Sequence, residues 1–295
     1  MPFPTRLLRR ALTVAAASLI AAGAHAATPL TLDVYNPGRD AIFPVSSVLV
    51  SGEREAILVD AQFGKREAQQ VVDKIRASGK TLTTIYISHG DPDFYFGLDT
   101  IHRAYPDAKI VATPQTVAHI RQTVQGKLAY WGPKLGDNAP AATIVPEPLK
   151  GRTLTLEGRK LEITGLDGPQ PDRSFVWIPS LKAVVGGVVV DGKLHVWTAD
   201  TQSLQSRKDW LKTLARIEKL KPAVVVPGHF AQGAPLNIDS VRFTRDYLKA
   251  FDIEAAKAAD SAALVAAMLQ RYPDLGDSDS LELSAKVIKG EMKWP

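Results

Sequence analysis

The sequence predicts an α/β fold built from two similar halves that pack their sheets together. Two observations lead there. Strand-like runs come in two batches, each interspersed with helical segments, which is the pattern of layered sheets covered by helices. In addition, His89 and His229 each stand just past the end of a buried strand-like run, where layered α/β folds gather their ligands. With 295 residues and 45% hydrophobic content, the chain has enough apolar surface for a packed core.

The first 26 residues are expected to be a secretory signal peptide. Arg6, Arg9 and Arg10 precede the apolar run "ALTVAAASLIAAG", which ends in the small-residue pattern "AHA" at Ala24 to Ala26. That run is too short to span a bilayer stably. Residues 27–295 are then expected to form a single exported domain, periplasmic or secreted, with no membrane association once the signal is removed.

The elements follow in order. "LTLDVYN" and "SSVLVSG" read as strands, and "REAILVDAQ" follows after a tight Gly-Glu turn. "GKREAQQVVDKIRAS" has helical spacing at Ala68, Val71, Val72 and Ile75, with Gly79 placed to end it. "TTIYIS" is a buried strand running up to His89, and a helix is expected from near Phe96. "KIVAT" is a strand, and a longer helix starts at Pro114 and ends before a loop at "WGPKLGDNAPAA". Strands are expected at "ATIVP", "RTLTLEG", "KLEITGL", "RSFVWIP" and "LKAVVGGVVV". "QSRKDWLKTLARIEKLKP" is an amphipathic helix with Trp210, Leu211, Leu214, Ile217 and Leu220 on one side. "AVVVPGHF" is a short buried strand and turn, and the remainder from about Asn237 is helical, broken at "DLGDSDS".

Composition narrows the function. Without the three arginines of the leader, 33 basic residues face 31 acidic ones, a net charge of +2. No basic stripe interleaved with aromatics remains, so no nucleic-acid partner is expected and a small-molecule substrate is. The chain has no cysteine, which removes disulfides and thiolate ligands together.

The chemistry is expected in "SHGDPDF". His89, Asp91 and Asp93 fall at alternate positions of a tight loop, where their side chains can turn toward one point, and imidazole and carboxylate are competent ligands for a divalent ion. Asp, Gly and Pro also make ordinary turns, so the cluster gains weight from "PGH" at His229. Structural alternatives are a helix cap for Asp93 and a turn hydrogen bond for His229.

These residues resemble the metallo-β-lactamase-fold hydrolase superfamily. "YISHGDPDFYFGLD" is similar to that family's H-x-H-x-D-H strand-loop-helix motif, "AILVDAQFG" to its early strand ending in Asp, and "KPAVVVPGH" to its closing histidine turn. The resemblance covers nearly all of the mature chain. It implies a four-layer αβ/βα sandwich, two packed mixed sheets flanked by helices, with the site where the sheets meet. His89 matches the motif's first histidine, Asp93 its aspartate and His229 the closing histidine. Asp91 stands at the second histidine and Phe94 at the histidine after the aspartate. No histidine matches the central one of the second half, where Asp167 or Asp172 is available, and Gly187 stands at the bridging aspartate.

The resemblance thus implies a divergent member with a reduced site: one divalent metal ion held by His89, Asp91, Asp93 and His229, with Asp167 as a further candidate. Its oxygen-rich ligands tilt the preference from zinc toward manganese, iron or magnesium. Asp93 or Asp91 would orient or deprotonate a metal-bound water that attacks a small ester, lactone or amide. His195 is a candidate replacement ligand or substrate contact, and Tyr95, Trp131 and Trp197 are candidate pocket residues. Asp60 is expected to support the loop from behind, and His102 and His119 to be ordinary helix-surface residues. The alternatives are a metal-free ligand-binding protein with a vestigial site and a mononuclear iron oxygenase.

Overall fold

A computed structural model describes Met1 and residues 28–294; the expected signal segment, Met1 apart, lies outside them. In chain order the elements are β1 (Thr31–Tyr35), β2 (Ser47–Ser51), β3 (Glu55–Val59), α1 (Lys65–Ser78), β4 (Thr81–Ile87), α2 (Pro92–Tyr95), α3 (Leu98–Ala104), β5 (Lys109–Ala112), α4 (Pro114–Leu135) and β6 (Glu147–Pro148). The second half holds β7 (Thr153–Leu156), β8 (Arg159–Thr164), β9 (Phe175–Ile178), β10 (Ala183–Val185), β11 (Asp191–Gly192), α5 (Leu204–Leu220), β12 (Val224–Val225), β13 (His229–Phe230), α6 (Ile238–Lys257), α7 (Ser261–Arg271) and α8 (Ser278–Ile288).

The first sheet is ordered β1-β2-β3-β4-β5-β6 and the second β12-β10-β9-β8-β7, with β11 and β13 forming a short parallel pair beside them. Both large sheets are mixed: β3 to β6 run parallel behind the antiparallel β1 to β3, and β10 pairs parallel with β12 but antiparallel with β9.

Side-chain alternation explains the layering. In β2 and β3, Val48, Val50, Ile57 and Val59 face the second sheet, while Leu49, Ala56 and Leu58 face the helices. The second sheet mirrors this: Val176, Ile178, Ala183 and Val185 point to the sheet interface, and Phe175 and Val184 to α5 and α6. Strands buried on both faces take apolar residues at successive positions, hence the runs "VLV" in β2 and "FVWI" in β9. The result is the expected four layers, helix-sheet-sheet-helix.

α1 buries Ala68, Val71, Val72 and Ile75 and ends at left-handed Gly79, as its spacing predicts. The helix expected from near Phe96 is α3, from Leu98, and a separate single turn, α2, precedes it at Pro92, where a proline at the first helical position gives up no hydrogen bond. Two expectations are corrected. α4 runs through Trp131 and Pro133 to Leu135 rather than stopping at a loop. "ATIVP" is not a strand; only Glu147–Pro148, just beyond it, pairs with β5.

Backbone strain marks the end of β10. Gly186 and Gly187 have φ of +67° and +81°, and a Cβ on Gly187 would lie 2.2 Å from the Ser174 carbonyl oxygen. Gly187→Ala is therefore expected to cost at least about 2 kcal/mol, read as a lower urea midpoint at unchanged slope.

Candidate functional site

The loop after β4 is fixed before its charged residues are considered. Asp60, at the end of β3, is buried and accepts hydrogen bonds from the Ser88 backbone N–H (2.8 Å) and hydroxyl (2.6 Å). The same hydroxyl accepts from Gly187 N–H at 2.7 Å. The Ala61 and Gly97 amides bond to the Phe94 and Gln62 carbonyls, stitching the segment from 94 to 97 to the end of β3. The expected supporting role of Asp60 corresponds to these contacts. Burial pushes its carboxyl up to about 7, against the pull of the Ser88 bonds.

Asp91 sits at the N-cap position of α2, and Asp93 lies in its first turn, yet neither side chain caps the helix. Each carboxylate has another partner. Asp91 is paired with the Lys127 ammonium, which reaches it from the middle of α4, and Asp91 Oδ2 lies 3.2 Å from His89 Nδ1. Burial opposes ionisation of Asp91, but Lys127 and His89 outweigh it and hold the carboxyl well below its usual range. Asp93 Oδ2 lies 2.7 Å from His229 Nε2. Burial disfavours the His229 cation, but the bond and charge of Asp93, with Asp191 and Asp277 nearby, prevail and raise it to about 9. His229 is held by its own strand pairing, opposite Asp191 in the parallel β11–β13 pair and bridged to Val45.

Phe94 separates the two pairs. It is fully buried, with its ring edge-on to His89 at 5.3 Å and to His229 at 5.5 Å between centroids.

The resemblance implies a metal here, and the donor set does not fit one. Among the described residues no three His, Asp or Glu side chains converge on a point that could hold an ion. The physical causes are local. Lys127 already supplies a cation to Asp91, and a bound divalent ion would have to displace that ammonium or sit against it. Phe94 fills the space between the two histidines without offering a donor. At Gly187 the Ser174 carbonyl leaves no room even for a Cβ.

All four motif residues nevertheless gather at one place. Asp91, Asp93 and His229 line a cavity of about 750 Å³, with His89 buried beside Asp91. Trp131, His195 and Trp197 line the cavity as well. Asp167 does not: it lies on the exposed turn after β8 and pairs with Arg216 at 2.6 Å. Tyr95 is fully buried behind the loop and does not reach the cavity. His119, expected on an open helix face, instead lines the cavity with its Nε2 3.4 Å from Lys127 Nζ; burial and that ammonium depress its pKa. His102 is half-buried in α3, outside the cavity.

Several site residues escaped sequence reasoning. Lys127 looks like any lysine of an amphipathic helix, and its only signal is the spacing of two turns from His119 on the same helix. Asp191 and Asp200 follow the second-half strands without a motif. Phe43 precedes β2 in an irregular segment.

A family model described as the metallo-beta-lactamase superfamily matches residues 41–229. Among solved structures, a metallo-beta-lactamase family protein from Thermus thermophilus superposes with a TM-score of 0.63 at 17% identity, over 88% of this chain and 91% of that one. A metallo-beta-lactamase from Pontibacter korlensis gives 0.54 at 19% identity, over 75% and 95%. A beta-lactamase domain protein from Burkholderia ambifaria gives 0.59 at 14% identity, over 88% and 84%. At these identities the likeness concerns the fold. No curated protein matches the chain.

Two outcomes test the charge pairs. Removing the cation in Lys127→Met leaves a half-buried carboxylate with only the His89 contact and is expected to cost up to about 3 kcal/mol at pH 7, with partial recovery in the double variant Lys127→Met/Asp91→Asn. The His229 pair sets a pH window. The folded histidine binds its proton up to about 9, whereas the unfolded one releases it near about 6.5. Its contribution is therefore full below about pH 6.5 and lost as pH rises through 9. Buried Asp60 and Asp191, both raised to about 7, add a separate decline at lower pH, as pH rises from their unfolded values to 7. Urea midpoints measured from about pH 6.5 to 9.5 should fall in the wild type, with the slope largely removed in Asp93→Asn.

Proposed function

The chain belongs to the metallo-β-lactamase superfamily, and from that premise we propose that it hydrolyses a small ester, lactone or amide in this cavity. In this proposal the side chains themselves, rather than a resident metal, handle the protons. The observation that carries the proposal is the Asp93–His229 pair, 2.7 Å apart and facing a cavity of substrate size.

The chemistry follows from charge. One Asp93 oxygen is held by His229, and the other is available to accept a proton from water. As the water oxygen bonds to the substrate carbonyl carbon, its proton passes to Asp93. The carbonyl π electrons move to oxygen, where the His229 and Lys127 cations lining the same floor favour the developing negative charge. Collapse of the tetrahedral intermediate breaks the bond to the leaving oxygen or nitrogen, which takes the proton back from Asp93. The aromatic wall keeps bulk water from screening these charges. Exported placement, periplasmic or secreted, belongs to the same proposal and rests on the leader-like residues 1–26.

One observation favours a second possibility, binding without turnover: both loop carboxylates already carry an internal cation, Lys127 on Asp91 and His229 on Asp93. Protein treated with chelator and assayed on esters, lactones and amides separates the cases. Hydrolysis is expected to survive chelation and to fall by about 10²–10⁴-fold in Asp93→Asn. Loss on chelation with restoration by a divalent ion would overturn the metal-independent mechanism. Ligand binding without any turnover would replace hydrolysis by the binding function.

A further inference from the structure

The upper wall of the cavity has a composition of its own. Five aromatic side chains that line it touch in a closed circuit: Phe43 to Trp131 at 5.2 Å, Trp131 to Tyr130 at 4.9 Å, Tyr130 to Trp294 at 6.1 Å, Trp294 to Trp197 at 5.3 Å, and Trp197 back to Phe43 at 6.4 Å. All five contacts are edge-to-face rather than one flat stack, and the Tyr130 ring already carries the Lys134 ammonium 4.7 Å from its centroid, as a cation on an aromatic face would sit. Asp200 anchors it by accepting hydrogen bonds from the indole N–H groups of both Trp197 and Trp294, the latter at 2.8 Å.

Asp91 and Asp93 have internal cations, and Asp191 and Asp277 lie in the field of the His229 cation, whereas Asp200 forms no ion pair among the described residues; Arg173 is a buried cation on its side. Of the two lining lysines, Lys127 is committed to Asp91 and Lys293 is exposed. Asp200 keeps an exposed side, but the wall around its carboxylate restricts hydration there. That desolvation, with repulsion from Asp91, pushes Asp200 upward against the Trp294 hydrogen bond and the more distant Lys127 and Arg173 cations.

A second, independent feature points to a ligand. His195 is 1% exposed and lines the cavity, yet its Nε2 has no partner. Its Nδ1 lies 3.0 Å from the Tyr247 hydroxyl, so only Nε2 is left for a ligand. A buried ring nitrogen without a partner is costly, and a ligand hydroxyl, which can donate or accept, would satisfy it in either tautomer.

We propose that the cavity selects an organic ammonium compound bearing a hydroxyl group, its cationic end against the aromatic circuit beside Asp200 and its hydroxyl on His195 Nε2. Aromatic faces attract a desolvated alkylammonium without needing a hydrogen bond from it, and the adjacent carboxylate supplies the counter-charge. A neutral or anionic isostere gains neither. The proposal deepens the substrate reading of the same cavity and rests on it.

The experiment compares choline with its uncharged isostere 3,3-dimethylbutan-1-ol by calorimetric titration of the full chain, with the carboxylate 3,3-dimethylbutanoate as the opposite charge. Choline is expected to bind roughly tenfold or more tightly than the neutral alcohol, with the carboxylate weakest. Asp200→Asn, which removes the charge and one of the two indole acceptors, should lower choline affinity by a larger factor than alcohol affinity, and Trp197→Leu should weaken choline the more. Equal affinity for choline and the alcohol, preference for the carboxylate, or no binding of choline would each overturn the proposal, and the wild-type comparison decides this even if a variant fails to fold. Because binding is read without turnover, an inert protein that prefers choline would end the hydrolase proposal and leave this one standing.

Discussion

A buried carboxylate holds the two halves of this molecule in register. Asp60 ends the third strand of the first sheet, and its two oxygens are taken by the backbone and hydroxyl of Ser88, which ends the fourth. That hydroxyl in turn receives the Gly187 amide from the second sheet. Three strand ends from two sheets thus meet through the Ser88 hydroxyl. Removing the Asp60 carboxylate would leave the Ser88 amide without an acceptor and its hydroxyl proton without one, a cost borne where loop and sheet interface coincide. A second tie acts at the far edge, where the Glu157 carboxylate accepts the amides of Glu53, Arg54 and Glu55 and is held at about 2 by them. The sheet interface between these ties is apolar.

Upon that frame the protein solves the problem of gathered carboxylates with its own cations. Asp91 and Asp93 sit two residues apart at the start of a short helix, and each is neutralised from a different direction: Lys127 from a neighbouring helix, His229 from the closing strand pair. A metal ion would draw both carboxylates to one centre. Two separate cations keep them apart, and Phe94 occupies the space between. Gly187 belongs to the same solution, since the close Ser174 carbonyl denies that position any side chain. The departures from the pattern that the resemblance implies thus fall together in space.

The cavity joins remote parts of the chain. Phe43 precedes the second strand, Trp131 lies near the end of the longest helix, Trp197 follows the eleventh strand and Trp294 lies in the last residues described. The C-terminal tryptophan is tethered by Asp200, which also orients Trp197, so the tail forms part of the wall. Such a wall lowers the local dielectric over the floor, where the charge pairs lie, and strengthens them.

The sequence by itself determined the layered architecture, because period-two apolar runs and helical stripes must be buried on predictable faces. It also determined that His89, Asp91, Asp93 and His229 gather at one place, since the histidines follow buried strands and Asp60, Asp91 and Asp93 are local to those ends. It did not determine what the motif carboxylates bind. Asp167 looked equivalent to a ligand in the sequence, but the turn carrying it points to Arg216 at the surface. Tyr95 shared the loop yet turned inward, while His119 and Lys127 looked like helix-surface residues and face the cavity. Only the tertiary structure settled these, for a physical reason: partner choice among charged groups depends on distances between elements far apart in the chain. Lys127 is 36 residues from Asp91 and His229 is 136 from Asp93, and no local periodicity encodes either meeting.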